Sequence, residues 1–150
     1  MWVLFLIIMK IICVVSGGID SCVAVAKTIE DYPKSETFFL HFNYGQKTEN
    51  KEKDSFVKIA DHFGIQEDHR RIVNIDYFKD YRCSLIKGNP DDPELTYLPF
   101  RNGIFLAIAV SYAEEVQAEK IIVGSMCADY GDGSLEFIEQ FNKAIIKALK

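Results

Sequence analysis

Apolar residues occur in this chain in short β-rich runs that alternate with longer segments of helical spacing. Residues 11–15 are five consecutive apolar residues, which is typical of a strand buried on both faces of a parallel sheet. Further strands are predicted at 37–42, 71–75 and 120–124. Because strands separated by helices form parallel βαβ units, we predict an α/β fold, with one parallel sheet of four or five strands and helices on both of its faces.

Helical spacing predicts four helices. They are residues 20–31, 48–63, 102–116 and 135–149. The third is largely apolar and is expected to be well buried, and Gly64 is expected to end the second. Residues 76–98 lack clean periodicity and contain Asn-Pro and Asp-Pro pairs, so they are predicted to form an irregular surface insertion. Such an insertion could act as a lid over the binding site.

The length of 150 residues fits a single domain over residues 1–150. Residues 1–9 are apolar, but no basic region precedes them, and a bilayer needs about 20 apolar residues. We therefore expect no membrane segment there. Residues 1–9 are interpreted either as an upstream extension or as an edge extension of the first strand.

Composition and charge exclude some partners. Hydrophobic residues make up 49% of the chain and charged residues 26%, which is ordinary for a globular protein. The net charge of −5 supplies no global basic field for nucleic acid, so no nucleic-acid partner is expected. Four cysteines lie far apart without a CxxC pair, which favours reduced thiols in a cytoplasmic protein and neither a disulfide framework nor a zinc site. Cys13 and Cys22 are expected to be small buried side chains.

The sequence SGGIDS, residues 16–21, follows the first predicted strand directly and is called the SGGIDS loop below. Gly17 and Gly18 allow a sharp turn that brings amide N–H groups close to an anion, and the following helix adds the positive end of its dipole. The hydroxyls of Ser16 and Ser21 can donate to phosphate oxygens. Asp20 fits either a Mg²⁺ held against phosphates or a helix N-cap. The alternative is a tight strand–helix turn without a ligand.

Polar residues also cluster in the other loops that leave the carboxyl ends of the predicted strands. These loops are residues 43–47, the segment after 75, and residues 125–134. In parallel sheets ligands bind outside the carboxyl ends of the strands, so the binding site is expected there. His41, within the second strand, is expected to be a hydrogen-bonded core histidine and not a catalytic base.

Four sequence segments together resemble one family. The SGGIDS loop alone resembles the ATP pyrophosphatase superfamily. With FNYGQ at 42–46, LPFRNGIF at 98–105 and IIVGSMCADYGD at 121–132, the chain resembles the 7-cyano-7-deazaguanine synthases over about residues 10–147. The resemblance implies an adenine-nucleotide-binding, Rossmann-like fold of the HUP type. It also implies an ATP-dependent carbon–nitrogen ligase that converts 7-carboxy-7-deazaguanine and ammonia to the nitrile through adenylated intermediates, releasing AMP and pyrophosphate, in queuosine and archaeosine precursor biosynthesis.

The resemblance assigns roles to individual residues. The pyrophosphate of ATP would be held by Ser16, Gly17, Gly18 and Ser21, with Asp20 on Mg²⁺. Arg101 would bind a phosphate or the substrate carboxylate, and Asn102 would cap its helix or contact the substrate. The deazaguanine would be contacted by Tyr44, Gln46, Asp129 and Tyr130. Asp20, Arg101 and Gln46 are the candidate catalytic residues, and the partners are the small-molecule substrate and ATP. Apart from the resemblance, exposed faces of the first and last predicted helices could pair two copies in a homodimer.

Structural alternatives stay open for several of these residues. Arg101 could form a surface ion pair, Gln46 could be a turn residue, Tyr44 could pack the loop as a rim aromatic, and Asp129 could end a strand. The chain also departs from the family in its short loop 129–134 and in lacking the four-cysteine cluster that binds zinc, since none of Cys13, Cys22, Cys83 and Cys127 matches it. The alternative functions are another amidating ligase, a tRNA-modifying enzyme, or a truncated nucleotide-binding homologue without turnover.

Overall fold

The computed structural model of the chain describes residues 8–87, 97–124 and 131–148. The strands are β1 (Lys10–Val14), β2 (Glu36–Asn43), β3 (Arg70–Asn74) and β4 (Lys120–Val123). The helices are α1 (Ile19–Asp31), α2 (Glu49–His62), α3 (Arg101–Val116) and α4 (Leu135–Ala148). The predicted alternation of strands and helices is confirmed, and most element ends lie within one residue of the prediction.

The described strands form one parallel sheet in the order β3-β2-β1-β4. In the register of the sheet, Ile12 of β1 lies between Phe38 of β2 and Ile121 of β4. The chain first builds outward from β1 to β3 and then returns to add β4 on the other side of β1. The strand order therefore reverses between β1 and β4, and a crevice is expected at such a point.

Two hydrophobic layers cover the two faces of the sheet, as predicted. On one face, Ile12, Leu40 and Phe42 pack against Ala109 and Tyr112 of α3. On the other face the buried residues come from β1, β2, α1 and α2: Ile11, Cys13, Phe39, Val25, Phe56 and Ala60. Because successive residues of a strand point to opposite faces, strands with no polar interruption supply both layers.

Helix ends differ from the predictions in one informative place. Gly18, and not Asp20, is the N-cap residue of α1, and none of the side chains that the structure describes caps this helix. Asp20 lies one position inside the helix, in the first turn, so the interpretation of Asp20 as an N-cap is wrong. Gly64 does follow the end of α2, with a φ of +65° that suits glycine, as predicted.

The described part of the predicted insertion at 76–98 is irregular and partly exposed, but several of its apolar side chains are buried and do not lie on the surface. A 3-10 turn at Asp76–Phe78 brings Phe78 into the core, and Cys83, Ile86 and Leu98 are also buried there. Their irregular spacing hid them, because a segment without helix or strand has no hydrophobic period. Residues 88–96, which belong to the predicted lid, lie outside the described residues.

Two burial predictions also need correction. Cys13 is buried as expected, but Cys22 is only half-buried, because the inward stripe of α1 is formed by Ser21, Val25 and Thr28. Helix α3 is less buried than its composition predicts: one face packs on the sheet, while much of the remainder is half-exposed or exposed.

The N-terminal segment is described only from residue 8. Met9 packs against the core, and its C=O accepts a hydrogen bond from Glu36 N (2.9 Å), as an edge extension of β1 would. Residues 1–7 lie outside the description. Within the described ranges, no helix is both long and apolar enough to cross a bilayer.

Candidate active site

A cavity of about 310 Å³ opens where β1, β2 and β4 end and α3 begins. It lies outside the carboxyl ends of the strands, which is the predicted location, and at the point where the strand order reverses. Five of the candidate residues from separate parts of the sequence line it: Ser16, Ser21, Tyr44, Arg101 and Asn102. Gly17, Gly18, Asp20 and Gln46 lie nearby in sequence but do not line the cavity, and Asp129 and Tyr130 fall outside the described residues.

The two glycines of the SGGIDS loop have different reasons to be glycine. Gly17 has a φ of +87°, and a Cβ placed on it would lie 2.6 Å from the main-chain oxygen of Glu52 in α2. Gly18 has an extended φ of −86°, and among the described residues its Cβ would meet only Ser16 Oγ, at an ordinary 3.5 Å. Gly17 is therefore required by the packing of the loop on α2, whereas the described residues leave room for a side chain at residue 18.

The serines of the SGGIDS loop form a closed set of hydrogen bonds. Ser16 Oγ accepts from Gly18 N (3.3 Å) and donates to Ser21 Oγ (3.2 Å), which in turn donates to Gly18 O (2.8 Å). Ser21 is buried, while Ser16, Gly18 and Asp20 are exposed. These bonds hold the loop in a defined turn, with the exposed Asp20 carboxylate beside the helix N-terminus.

Gly124, directly after β4, is a site residue that the sequence analysis missed. A Cβ on it would lie 2.6 Å from Asp20 O and 2.8 Å from Ser21 Cα. The end of β4 is thus packed against the first turn of α1, which fixes one wall of the crevice. The available signal was a glycine as the last residue of a predicted strand.

Arg101 and Tyr44 form a unit on the cavity wall. The Arg101 guanidinium lies 5.7 Å from the Tyr44 ring and 5.9 Å from the Phe105 ring, and Nη1 donates to the Tyr44 hydroxyl (3.4 Å). Burial raises the pKa of Tyr44, and the Arg101 charge opposes that shift. No carboxylate within the described ranges forms an ion pair with Arg101. The alternative of a surface ion pair therefore has no support among these residues.

Tyr44 is more deeply packed than a rim aromatic would be. Its ring is 9% exposed and makes an edge-on contact with Phe78 at 6.2 Å and a tilted contact with Phe105 at 5.5 Å. The side chain therefore supports the cavity wall while its hydroxyl faces Arg101.

Gln46 is a buried turn residue in this structure. Its Oε1 accepts from Tyr44 N (2.8 Å), and its Nε2 donates to Phe42 O (3.3 Å) and to Glu52 Oε2 (2.9 Å). Both ends of the amide are thus engaged within the protein, which favours the turn alternative over direct contact with a purine-like edge. Gln46 shapes the turn that places Tyr44.

The N-terminus of α3 is capped from a distance. Asp132 is 7% exposed, and its Oδ2 accepts from Asn102 N (2.9 Å) and Gly103 N (3.3 Å). Asn102 lies inside the helix and its own Nδ2 donates to Asp132 Oδ1 (3.4 Å), so the prediction that Asn102 caps α3 is wrong. No local signal marks Asp132, because its partner residues are about thirty positions earlier.

The residue before α3 has an unusual backbone. Phe100 is the N-cap residue and adopts a left-handed φ of +54°. Its ring lies where a Cβ on Gly103 would be, and it makes an edge contact with Phe137 of α4 at 5.7 Å. The Phe100 ring and the missing side chain of Gly103 are therefore complementary.

Metal-binding potential is limited among the described residues. No group of three or more His, Cys, Asp or Glu side chains there could hold a metal ion, so these residues do not fit the family's zinc site. Burial raises the pKa of the Cys13 thiol to about 11, so it is protonated and a poor ligand at neutral pH. A single exposed carboxylate such as Asp20 does fit Mg²⁺ that arrives with phosphate ligands.

Comparison with known proteins identifies relatives over nearly the whole chain. The family "Queuosine biosynthesis protein QueC" matches residues 10–150. A 7-cyano-7-deazaguanine synthase from Sulfurovum sp. (strain NBC37-1) is 38% identical over 148 residues, covering 91% of this chain and 65% of that protein. The enzyme of the same name from Nautilia profundicola is 39% identical over 155 residues, covering 94% and 67%. The chain thus spans about two thirds of the length of these curated relatives.

Solved structures agree on the fold. The U34-tRNA thiolase NcsA from Methanococcus maripaludis, solved with its 4Fe-4S cluster, superposes with a TM-score of 0.52 at 27% identity, over 77% of this chain and 38% of that chain. A predicted subunit of tRNA methyltransferase from Methanocaldococcus jannaschii has a TM-score of 0.56 at 17% identity, over 93% and 65%. The second likeness concerns the fold alone.

The resemblance that the SGGIDS, FNYGQ and LPFRNGIF segments predict is confirmed by these matches. Its N-terminal limit at Lys10 is also where β1 begins. The chain belongs to the QueC family of queuosine biosynthesis proteins.

Proposed function

We propose that this protein catalyses the ATP-dependent conversion of 7-carboxy-7-deazaguanine and ammonia to 7-cyano-7-deazaguanine. The observation that carries the proposal is the cavity in which the SGGIDS loop and Arg101 meet, in a chain of the QueC family. The loop offers donors for phosphates, and Arg101, which forms no ion pair with the residues that the structure describes, offers a cation for a carboxylate. These are the two charged groups that adenylation of a carboxylic acid must bring together.

In the proposed first step, an oxygen of the substrate carboxylate attacks the α-phosphorus of MgATP and the bond to the β-phosphate breaks. Ser16, Gly17, Gly18 and Ser21 would bind the departing pyrophosphate through amides and hydroxyls, and the positive end of α1 would stabilise its charge. The hydrogen bond between the Ser16 and Ser21 hydroxyls would be replaced by hydrogen bonds from these hydroxyls to the phosphate oxygens. Asp20, exposed beside the loop, would hold the Mg²⁺ that accompanies ATP.

Arg101 would bind the substrate carboxylate and orient it toward the α-phosphorus. Its position against the Tyr44 and Phe105 rings limits its freedom, which reduces the entropy lost on binding. Tyr44 and Asn102 are proposed to contact the substrate, and Gln46 to act by shaping the Tyr44 turn. The assignments of Asp129 and Tyr130 to the deazaguanine stay proposals.

The second half of the proposed reaction makes the nitrile. Ammonia attacks the acyl-adenylate carbon and AMP leaves, giving the amide. The amide oxygen then attacks the α-phosphorus of a second ATP and releases pyrophosphate. Loss of AMP and of both protons on the amide nitrogen from that intermediate gives the C≡N group. Two AMP and two pyrophosphate are formed for each nitrile.

The test is to incubate the full chain with MgATP, ammonia and 7-carboxy-7-deazaguanine and to measure pyrophosphate and nitrile. We expect pyrophosphate release that depends on the carboxylate, with a ratio to nitrile of about two from the stoichiometry above. Formation of ADP and phosphate, or no dependence on the carboxylate, would contradict the proposal. ATP binding with no turnover on any carboxylate would identify a nucleotide-binding homologue instead.

A second candidate is a tRNA-modifying enzyme, favoured by the 27% identity with a tRNA thiolase. The net charge of −5 counts against it. Adding tRNA in place of the deazaguanine separates the two, since only a tRNA enzyme would release pyrophosphate in response.

We also propose that the protein acts in the cytoplasm and that two copies of it form a homodimer. Large apolar side chains on α1 and α4 are exposed, namely Ile19 (83%), Val23 (62%), Leu135 (65%) and Ile146 (68%). Such faces are typical of surfaces that pair with another chain. Light scattering on the purified protein gives its mass: twice 17.1 kDa supports the dimer, and 17.1 kDa contradicts it.

A further inference from the structure

His41 is a buried histidine of β2 that contacts the residue leading into the SGGIDS loop. It is 1% exposed, stacks on Phe56 of α2 with ring centroids 5.1 Å apart, and has Nδ1 2.8 Å from the C=O oxygen of Val15. Because a carbonyl oxygen only accepts, Nδ1 carries the proton and donates. The prediction of a hydrogen-bonded core histidine is confirmed.

This bond takes the place of a main-chain bond in the sheet. Val15 N donates to Leu40 O (2.8 Å), as in a regular parallel ladder. In such a ladder the C=O of Val15 would next accept from the main-chain N–H of Phe42. The His41 side chain bonds to this C=O instead, and β1 ends at Val14.

The direction of the Val15 carbonyl determines the direction of the next amide. In a planar trans peptide the C=O and the following N–H point in opposite directions, and no cis peptide occurs in the described residues. The His41 ring lies on the face of the sheet that α2 covers, so this bond directs the Val15 C=O toward β2 and toward that face. The Ser16 N–H is then turned the opposite way, toward β4 and the face that α3 covers. That is the side of the crevice where the strand order reverses.

The second ring nitrogen, Nε2, indicates that His41 has a specific role. His41 Nε2 is buried and has no hydrogen-bond partner among residues 8–87, 97–124 and 131–148. An unpaired buried acceptor costs free energy, which a phenylalanine on the same Phe56 stack would avoid. The feature that phenylalanine could not reproduce is the bond from Nδ1 to Val15.

We propose that His41 is a positioning residue for the nucleotide: it orients the Val15–Ser16 peptide so that the Ser16 N–H faces the phosphates of ATP. The identity of the ligand rests on the proposed function. The orientation of the peptide does not, so the two can fail separately.

The experiment compares His41→Phe, His41→Asn and a control, Thr37→Val. Phenylalanine keeps the stack on Phe56 and lacks the donor, whereas asparagine carries an amide N–H at the position that corresponds to Nδ1. Thr37 is also buried, at the other end of β2. The readouts are hydrogen exchange of amides 16–18 without nucleotide, the Kd for MgATP, and the melting temperature.

We expect His41→Phe to fold stably, to exchange amides 16–18 about tenfold faster and to bind MgATP about tenfold more weakly, the usual size of one hydrogen bond. His41→Asn should stay near the wild type in both readouts. Thr37→Val should change the melting temperature alone. If His41→Phe does not fold, His41→Leu takes its place.

A folded His41→Phe variant with wild-type exchange and Kd would overturn the proposal, as would His41→Asn behaving like His41→Phe. If the wild-type protein does not bind MgATP, the proposed function fails. The exchange data then still decide whether His41 orients the peptide.

Discussion

The two sides of the cavity are built differently. The SGGIDS loop is one short segment whose serines bond to each other and to Gly18. The side at α3 joins two distant segments, since Asp132 caps a helix that begins about thirty residues earlier. The first side is local in sequence and the second depends on the folded chain. Substitutions at the exposed loop residues Ser16, Gly18 and Asp20 should therefore affect ligand binding with the fold intact. Gly17, which packs on α2, is the exception on this side. Substitutions at the cap on the second side should affect stability first.

The largest effect is expected at Asp20. Asp20→Ala should reduce pyrophosphate formation by about 10³-fold, because the Mg²⁺ that accompanies ATP loses its protein carboxylate. The melting temperature should hardly change, since Asp20 is exposed. Asp31→Ala, at the other end of α1 and in an exposed pair with Lys27, is the matched control and should keep full activity. Normal turnover by Asp20→Ala would refute the metal role.

Removing the charge of Arg101 tests the role of the second side of the cavity. Arg101→Gln should lower kcat/KM for the carboxylate by about 10²-fold, which corresponds to about 2.7 kcal/mol. Arg101→Lys should lose less, because the charge remains but the fork geometry does not. Arg71→Gln is the control: Arg71 pairs with Glu115 at the far end of α3. Equal losses of kcat/KM in Arg101→Gln and Arg71→Gln would mean that the loss does not come from the position of Arg101 in the cavity.

The two glycines of the loop separate folding from binding. Gly17→Ala should reduce the free energy of unfolding by about 2 kcal/mol or more, because of the left-handed φ and the overlap with Glu52 O. Gly18→Ala should fold normally and bind MgATP more weakly, since a methyl group would keep phosphate from the amides. Urea unfolding and nucleotide titration measure the two effects. If Gly17→Ala were as stable as Gly18→Ala, the loop would not need its packing on α2.

The smallest effect is expected at the cap. Asp132→Ala should cost about 1–2 kcal/mol in unfolding, because Asn102 N and Gly103 N lose their acceptor. Asp132→Asn keeps an oxygen for one of these bonds and should cost less. If Asp132→Ala abolished turnover at unchanged stability, Asp132 would act on the substrate and not through the helix.

The sequence predicts what is periodic or local. The parallel α/β sheet follows from four β-rich runs separated by helical segments, and the site follows from the SGGIDS loop at a strand end. The buried role of Gln46, the cap from Asp132 and the core position of Phe78 were not predictable, because each depends on contacts between segments without a shared period. Gly124 could have been found, since a glycine within a predicted strand indicates a close backbone approach.

The complementarity of Phe100 and Gly103 has a consequence for how the family can vary. A side chain at position 103 needs the space of the Phe100 ring, and a glycine at position 100 would relieve the left-handed backbone while leaving that space open. Acceptable residues at these two positions are therefore linked, because a side chain at position 103 overlaps the ring at position 100 unless that ring is lost first. Among homologous sequences, bulk at one position should be accompanied by its loss at the other.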